Sequence, residues 1–337
     1  MPAQPPTVTN IRLPLPHIGS VNAWLLRGDP LTLIDTGPSN EEALSALEAG
    51  LRDAGVRLAD IELVLGTHHH LDHVGLAAAI KRASGATIAV ADGVADYAAD
   101  YHGNVDADRA YSERLMAAHG VPEHVIGDDD LWDFIRDNCA GFEADVRLAD
   151  GDRIRAGGRE LDVLARPGHS PTDTLFIDAA GRLAFVGDHL LAGISSNTEI
   201  SPVSAADGAR PQPRTEYLRN LRRTSELAVD TLLTGHGRPV DSAAALVEVR
   251  LAEHRRRAAR IAAILLREPQ SAYRIAEQLW PPRTVREQPL LVVWEVLGHL
   301  ETLMSAGLVA ERVAGDGRPV FALSHADDVR RRCAGVC

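Results

Sequence analysis

Between Thr67 and His73 the chain sets four metal-binding side chains within six residues: His68, His70, Asp72 and His73. Alternate residues of an extended strand end point the same way, so His68 and His70 present two imidazoles to one side. Asp72 and His73 follow as the chain turns into a helix. His69 sits between them, and its side chain should point away and pack. Three shorter motifs share the same context: Gly168-His169-Ser170, Gly187-Asp188-His189 and Thr234-Gly235-His236-Gly237 each follow a strand-like run. Imidazole nitrogen and carboxylate oxygen are donors for zinc and also suit iron or manganese. The chemistry open to such a set is metal coordination and Lewis-acid hydrolysis.

These clusters need strands that deliver them to one place. Ala23-Trp24-Leu25-Leu26 and Leu31-Thr32-Leu33-Ile34-Asp35-Thr36-Gly37 read as two paired strands joined by Gly28-Asp29-Pro30. Ser39-Asn40-Glu41-Glu42 opens a helix with Leu44, Leu47 and Leu51 on one face. Ile61 to Thr67 is a buried strand, His73 to Ala83 a helix and Thr87 to Val90 the next strand. Further strands are expected at 161–165, 174–178, 183–187 and 230–234. Alternation of this kind implies an α/β layer fold, in which polar clusters at strand ends converge.

Residues 97–147 interrupt the alternation with a mostly helical insertion carrying the acidic run Asp128-Asp129-Asp130, read as a solvated helix start. From about residue 241 the pattern changes. A long helix spans Ser242 to Arg267, a short one Ser271 to Leu279, and a third Leu290 to Ala306. Val309–Val313 and Pro319–Leu323 then form a hairpin around Gly315-Asp316-Gly317. This is a winged-helix pattern, so the expected domains are 1–240 and 241–337.

The chain has 337 residues, 45% hydrophobic and 24% charged, as expected of two globular domains. Its net charge of −12 divides into −15 over residues 1–250 and +3 over 251–337. An acidic catalytic portion argues against long polyanions as substrates. The three cysteines, Cys139, Cys333 and Cys337, give no disulfide framework. Met1 to Pro6 lacks the basic segment and apolar run of a signal peptide, and no apolar stretch is long enough for a membrane span. The expectation is a cytoplasmic protein with no membrane partner.

In order, spacing and residue type, the motifs resemble the metallo-β-lactamase superfamily, whose H-x-H-x-D-H pattern matches His68, His70, Asp72 and His73. The resemblance covers about residues 10–240 and implies an αββα sandwich. It implies that His68, His70 and His169 hold one metal, that Asp72, His73 and His236 hold a second, and that Asp188 bridges them. Asp35 matches the family's supporting aspartate after an early strand. Two Zn²⁺ are the expected cofactors, with iron or manganese as alternatives, and Asp72 and Asp188 are the expected catalytic carboxylates. His189 is expected to face away from Asp188 or to support the ligands from behind. His17, His102, His119, His124, His254, His299 and His325 match no motif and are read as surface or helix residues. One departure stands out: relatives that read G-H-T-P-G-H carry histidine where this chain has Asp173.

Within the family, the resemblance is nearest to the glyoxalase II branch and to the lactamase-like protein 2 group, which adds a C-terminal winged helix. It implies hydrolysis of a small thioester, ester or lactone, with single-stranded RNA as the alternative substrate. A nucleic-acid-binding regulator is the third reading. It is disfavoured because the only charges on the candidate recognition helix are the acidic Glu295 and Glu301, with no Arg or Lys. The C-terminal module is expected to be a substrate-pocket wall or a dimerisation element. After Asp188, Ser195, Ser196 and Asn197 are expected either to contact an oxyanion or carboxylate or simply to cap their loop.

Overall fold

The computed structural model describes residues 8–16, 19–126, 130–202 and 211–324. His17, Asp128, Asp129, His325, Cys333 and Cys337 lie outside the described residues. The chain sorts into two compact units. One is built from the residues up to 106, 130–196 and 220–247, the other from 107–129, 197–219 and 248 onward. Two segments that precede residue 240 therefore belong with the C-terminal residues, a division no single boundary describes.

The first unit contains two sheets. Strands β1 (Val8–Leu15), β2 (Gly19–Leu26), β3 (Thr32–Ile34), β4 (Leu63–Gly66), β5 (Thr87–Ala91) and β6 (Val146–Leu148) pair in that order, antiparallel up to β3 and parallel from there. The second sheet runs in the order β11 (Thr231–Thr234), β10 (Leu183–Gly187), β9 (Thr174–Asp178), β8 (Arg159–Ala165) and β7 (Arg153–Ala156). β3 and β4 are buried along their whole length, which is why they read as unbroken apolar runs. β1 alternates between covered and exposed residues.

Trp24, Leu26, Ile34, Leu65 and Ala89 of the first sheet share one buried cluster with Leu161, Val163, Phe176, Phe185 and Leu233 of the second. The other face of the first sheet is covered by helices. Glu41–Asp53 buries Ala43, Leu47 and Leu51 and is capped by Asn40, whose side chain accepts from Ala43 N. Leu71–Val74 and Ala77–Ser84 replace the single helix expected over 73–83. At Gly75 between them, an added Cβ would lie 2.4 Å from Leu71 O and 2.7 Å from both Asn138 O and Ser39 N. Residues 220–225 of the helix Pro213–Ser225 are tied to loops of the second sheet, Asn220 Nδ2 donating to Pro167 O at 2.7 Å.

In the second unit, helices Ala272–Leu279, Pro282–Glu287 and Pro289–Ser305 precede the hairpin of β12 (Val309–Val313) and β13 (Pro319–Leu323). Ser271 caps the first of these helices. Ile275, Val285, Val293, Val296, Leu300 and Phe321 are buried. No helix among the described residues is long and apolar enough to cross a membrane.

Candidate metal centre

Strand direction brings the polar motifs together. β8 and β10 are both antiparallel to β9, so they run parallel to each other, and β11 is parallel to β10. Ala165, Gly187 and Thr234 therefore leave the second sheet at one edge and lead into His169, Asp188 and His236. β3 and β4 run parallel in the first sheet and end at Asp35 and Thr67. Main-chain bonds fasten the two sheets at this edge: Thr174 N donates to Thr67 O at 2.8 Å, and Asn22 N to Gly235 O at 2.7 Å.

His68, His70 and His169 come together. His70 Nδ1 lies 3.0 Å from His68 Nε2 and 3.2 Å from His169 Nε2. Nitrogens about 2.0–2.1 Å from a tetrahedral zinc stand about 3.3 Å apart, close to this spacing. Asp72, His73 and His236 form the second group, with Asp72 Oδ2 3.5 Å from His73 Nε2 and 3.2 Å from His236 Nε2. Asp188 stands between the groups: Oδ1 is 3.5 Å from His73 Nε2, and Oδ2 is 3.2 Å from His236 Nε2 and 3.8 Å from His169 Nε2.

Hydrogen bonds behind three of the rings decide which nitrogen faces inward. Asp35, buried and in the left-handed region at φ 60°, accepts from Thr67 N, Thr67 Oγ1 and His73 Nδ1 at 2.9, 2.9 and 2.8 Å. The Thr67 hydroxyl donates to Asp35, so at 3.1 Å it accepts from His68 Nδ1. His236 Nδ1 donates to Ser20 O at 2.8 Å. In each ring Nδ1 carries the outward proton and Nε2 is left for an ion.

The cluster fits divalent cations on two counts. His73 Nε2 and Asp188 Oδ1 are buried with no hydrogen-bond partner, unusual for atoms of such polarity. Space around them is kept by glycine: a Cβ at Gly235 would lie 2.3 Å from Asp188 Oδ1, and one at Gly187 2.5 Å from Thr67 Oγ1. Gly187 also takes φ 48° where the β10–β11 register shifts, which turns the chain toward Asp188.

Charge is arranged to the same end. Burial by itself would lower His73, but the carboxylates of Asp72, Asp35 and Asp188 outweigh it and push the imidazole up to about 9. Burial likewise opposes protonation of His236, yet Asp188 and Asp72 raise it to about 11. Asp188 is held down at about 2, because His236 and His73 overcome the desolvation that would raise it. Asp72 is lowered in the same way, chiefly by His73 and His236 against burial. His68 falls well below its ordinary value through burial and the neighbouring imidazoles.

The consequence for pH follows from the direction of each shift. His73 and His236 are raised, so their stabilisation of the metal-free protein is complete below 6.5 and is lost as pH rises through about 9 and 11. Urea midpoints of chelator-treated protein should therefore fall between pH 6.5 and 10, and zinc-saturated protein should resist that fall. Zinc uptake at pH 7 should also release protons, since both rings must give them up. A metal-free midpoint that is flat over this range would contradict the arrangement.

Other expected residues are placed differently. His69 packs its ring on Tyr97 at 4.1 Å and meets Thr172 Oγ1 at 2.9 Å. His189 is not among the gathered groups: its Nε2 meets Thr224 Oγ1 at 2.9 Å. Ser196 is buried and donates to Asp188 O at 2.5 Å. Asn197 donates to Leu291 O at 2.9 Å and accepts from Thr198 N. Both side chains are thus engaged in main-chain hydrogen bonds; Ser195 is exposed. Of the histidines read as surface or helix residues, His254 and His299 lie on helices, and both are buried, as is His119. Sequence reasoning missed Thr67, Thr172 and the Ser20 carbonyl, none of which belongs to a motif of ligand-type residues. It also missed the buried group formed by Arg214, Glu295, His254 and His299, signalled only by Glu295 and His299 at i, i+4 in an apolar helix.

The sequence pattern of the Metallo-beta-lactamase superfamily matches residues 18–236. Over 305 residues the chain is 35% identical to the "Probable metallo-hydrolase YqjP" of Bacillus subtilis (strain 168), covering 88% of this chain and 92% of that protein. It is 31% identical over 189 residues to a hydroxyacylglutathione hydrolase of Cereibacter sphaeroides (strain ATCC 17025), which spans 56% of this chain and 52% of that one. Among solved structures, a metallo-beta-lactamase family protein from Thermus thermophilus aligns with a TM-score of 0.80 at 26% identity, over 94% of this chain and 98% of its own. A beta-lactamase domain protein from Burkholderia ambifaria gives 0.80 at 25%, over 96% and 94%.

Proposed function

The chain belongs to the metallo-β-lactamase superfamily as a metallo-hydrolase, and from that premise we propose that it uses two zinc ions to hydrolyse a small thioester, ester or lactone. One observation carries the reading: two three-residue groups of donors lie on either side of Asp188, whose Oδ1 is buried opposite His73 Nε2 with neither atom hydrogen-bonded. His68, His70 and His169 would hold one ion, Asp72, His73 and His236 the other, with Asp188 between. Bound zinc supplies Lewis acidity, polarising a carbonyl or phosphoryl oxygen and lowering the pKa of water to about 7. The chain's own part is orientation. Asp35 and Thr67 fix the rings of His68 and His73 from behind, Ser20 fixes His236, and the Asp72 carboxylate orients the attacking water.

Thioesters are favoured by the relatives named hydroxyacylglutathione hydrolase. Long polyanions are disfavoured by the −15 carried over residues 1–250. The helices and hairpin after residue 271 are read as a winged-helix domain, though not as a reader of nucleic acid. The acidic residues of Pro289–Ser305 face inward: Glu301 accepts from Arg214 N and Thr215 N, and Glu295 pairs with Arg214 and Arg257. The protein is proposed to act in the cytoplasm.

The test is a substrate panel with zinc, iron and manganese measured on the same sample: glutathione and acyl-CoA thioesters, lactones, bis-p-nitrophenyl phosphate and short single-stranded RNA. The highest kcat/KM is expected on a thioester or lactone. A preference for RNA or the phosphodiester would replace this reading, and tight, salt-sensitive duplex binding without turnover would replace it with a regulator.

A further inference from the structure

Asp173 occupies a position where a histidine would be expected from the family pattern, and its surroundings are not those of an imidazole. The carboxylate is buried at 3% exposure. Its Oδ2 accepts from His169 N at 2.8 Å, its Oδ1 from Ser170 Oγ at 2.7 Å, and both oxygens from Ser170 N at 3.2 Å. Neutral imidazole has one acceptor nitrogen and could not satisfy three donors together, whereas a carboxylate offers about four lone-pair sites. The main chain closes around the same residue: Arg166 N donates to Asp173 O at 2.8 Å and Gly168 N to Ser170 O at 2.9 Å.

A second tie leads from this loop to the other histidines. Thr172 Oγ1 accepts from His69 N at 3.1 Å, meets His69 Nδ1 at 2.9 Å and lies 3.2 Å from Ser170 Oγ. His69 stands between His68 and His70 in the chain. The 3.0 and 3.2 Å spacings among His68, His70 and His169 are thus framed from outside by Asp173 on one loop and Thr172 reaching to the other.

We infer that Asp173 is the positioning residue for His169: its carboxylate, with Ser170 and Thr172, sets the geometry in which the three-histidine group takes its ion. The inference rests on the two-zinc reading above. The two shortest of these bonds, from His169 N at 2.8 Å and Ser170 Oγ at 2.7 Å, pin the Asp173 carboxyl against the His169 main chain, as such a role requires. Removal of a group that orients a ligand typically weakens metal binding about 10–100-fold.

The experiment is chelator-competition binding of Zn²⁺ to metal-free wild type, Asp173→Ala and Asp173→Asn. Co²⁺ spectra and a metal-free urea midpoint are recorded on each. Asp173→Ala should lose about 10–100-fold in affinity for one ion while keeping the other. Asp173→Asn, which retains one acceptor oxygen, should recover part of that loss. A merely structural residue would shift the urea midpoint and leave the folded protein's two affinities and Co²⁺ spectrum unchanged; that result overturns the inference. If Asp173→Ala does not fold, Asp173→Asn and Ser170→Ala carry the same measurement, and unchanged affinities in both overturn it equally. Wild type that binds no zinc overturns the metal reading and this inference with it. Wild type and variants that bind two zinc ions alike overturn this inference alone.

Discussion

Asp188→Ala should leave a folded protein that has lost at least one of two zinc ions and nearly all turnover. Asp188 is the residue that both donor groups share. Its Oδ2 is 3.2 Å from His236 Nε2 and its Oδ1 3.5 Å from His73 Nε2. Without it, His73 and His236 keep Asp72 but lose a neighbouring negative charge, so both rings should fall back toward the ordinary histidine value. The Lewis-acid contribution at stake is several kcal/mol, and each ~1.4 kcal/mol is a factor of ten, so kcat should drop on the order of 10³-fold or more. His68→Ala should fail equally through the other group. The fold should persist in both, since the inter-sheet core of Trp24, Leu65, Phe176 and Phe185 does not involve them. Metal content, kcat and far-UV circular dichroism on the same preparations decide the matter. Full activity in a variant stripped of metal would sink the two-zinc reading.

How much of this was legible in the sequence depends on the range of the interaction. The H-x-H-x-D-H run is local, and strand alternation with the turn into Leu71–Val74 suffices to aim its side chains. His169, Asp188 and His236 were legible because each follows an apolar strand, and parallel strands end at a common edge. The supports were harder to see. Asp35 was found only through the family resemblance, and nothing local reveals that Thr67 joins it to His68. Ser20 contributes a carbonyl, which every residue possesses. β6 and β7 are short, and their exposed residues gave no buried run to find. The division into units was not legible because segments 107–129 and 197–219 lie far in sequence from the C-terminal residues they join. Their placement is set by long-range contacts such as Tyr273 N donating to His119 O.

Arg214→Met should destabilise the protein by about 3–5 kcal/mol, the usual loss when one member of a buried ion pair is removed. Arg214 has no exposed surface. Its Nη2 donates to Glu295 Oε2 at 2.5 Å and its Nη1 meets His254 Nδ1 at 3.2 Å, while Arg257 Nη1 takes the other Glu295 oxygen at 3.0 Å. His299 Nδ1 donates to Glu295 O at 2.8 Å. Burial would raise the Glu295 carboxyl, yet Arg214 leads the neighbours that hold it at about 2. Burial and then Arg214 push His254 down to about 3 and His299 down to about 4. These two rings are therefore neutral in the folded protein and oppose folding once pH falls below 6.5 and the unfolded chain takes up protons. Arg214→Met should accordingly make stability less sensitive to acid between pH 6.5 and 4, even as it lowers stability at pH 7. The loss comes from leaving the buried Glu295 carboxylate with the half-buried Arg257 as its remaining cation, rather than from the pair being strongly favourable. Arg214→Met combined with Glu295→Leu should then recover most of it, with the half-buried Arg257 turning to solvent. Urea denaturation of the three variants at pH 7 and pH 5 reads all of this. A loss below about 1 kcal/mol in the single variant would mean that the site admits enough water to solvate the carboxylate, as at a surface pair.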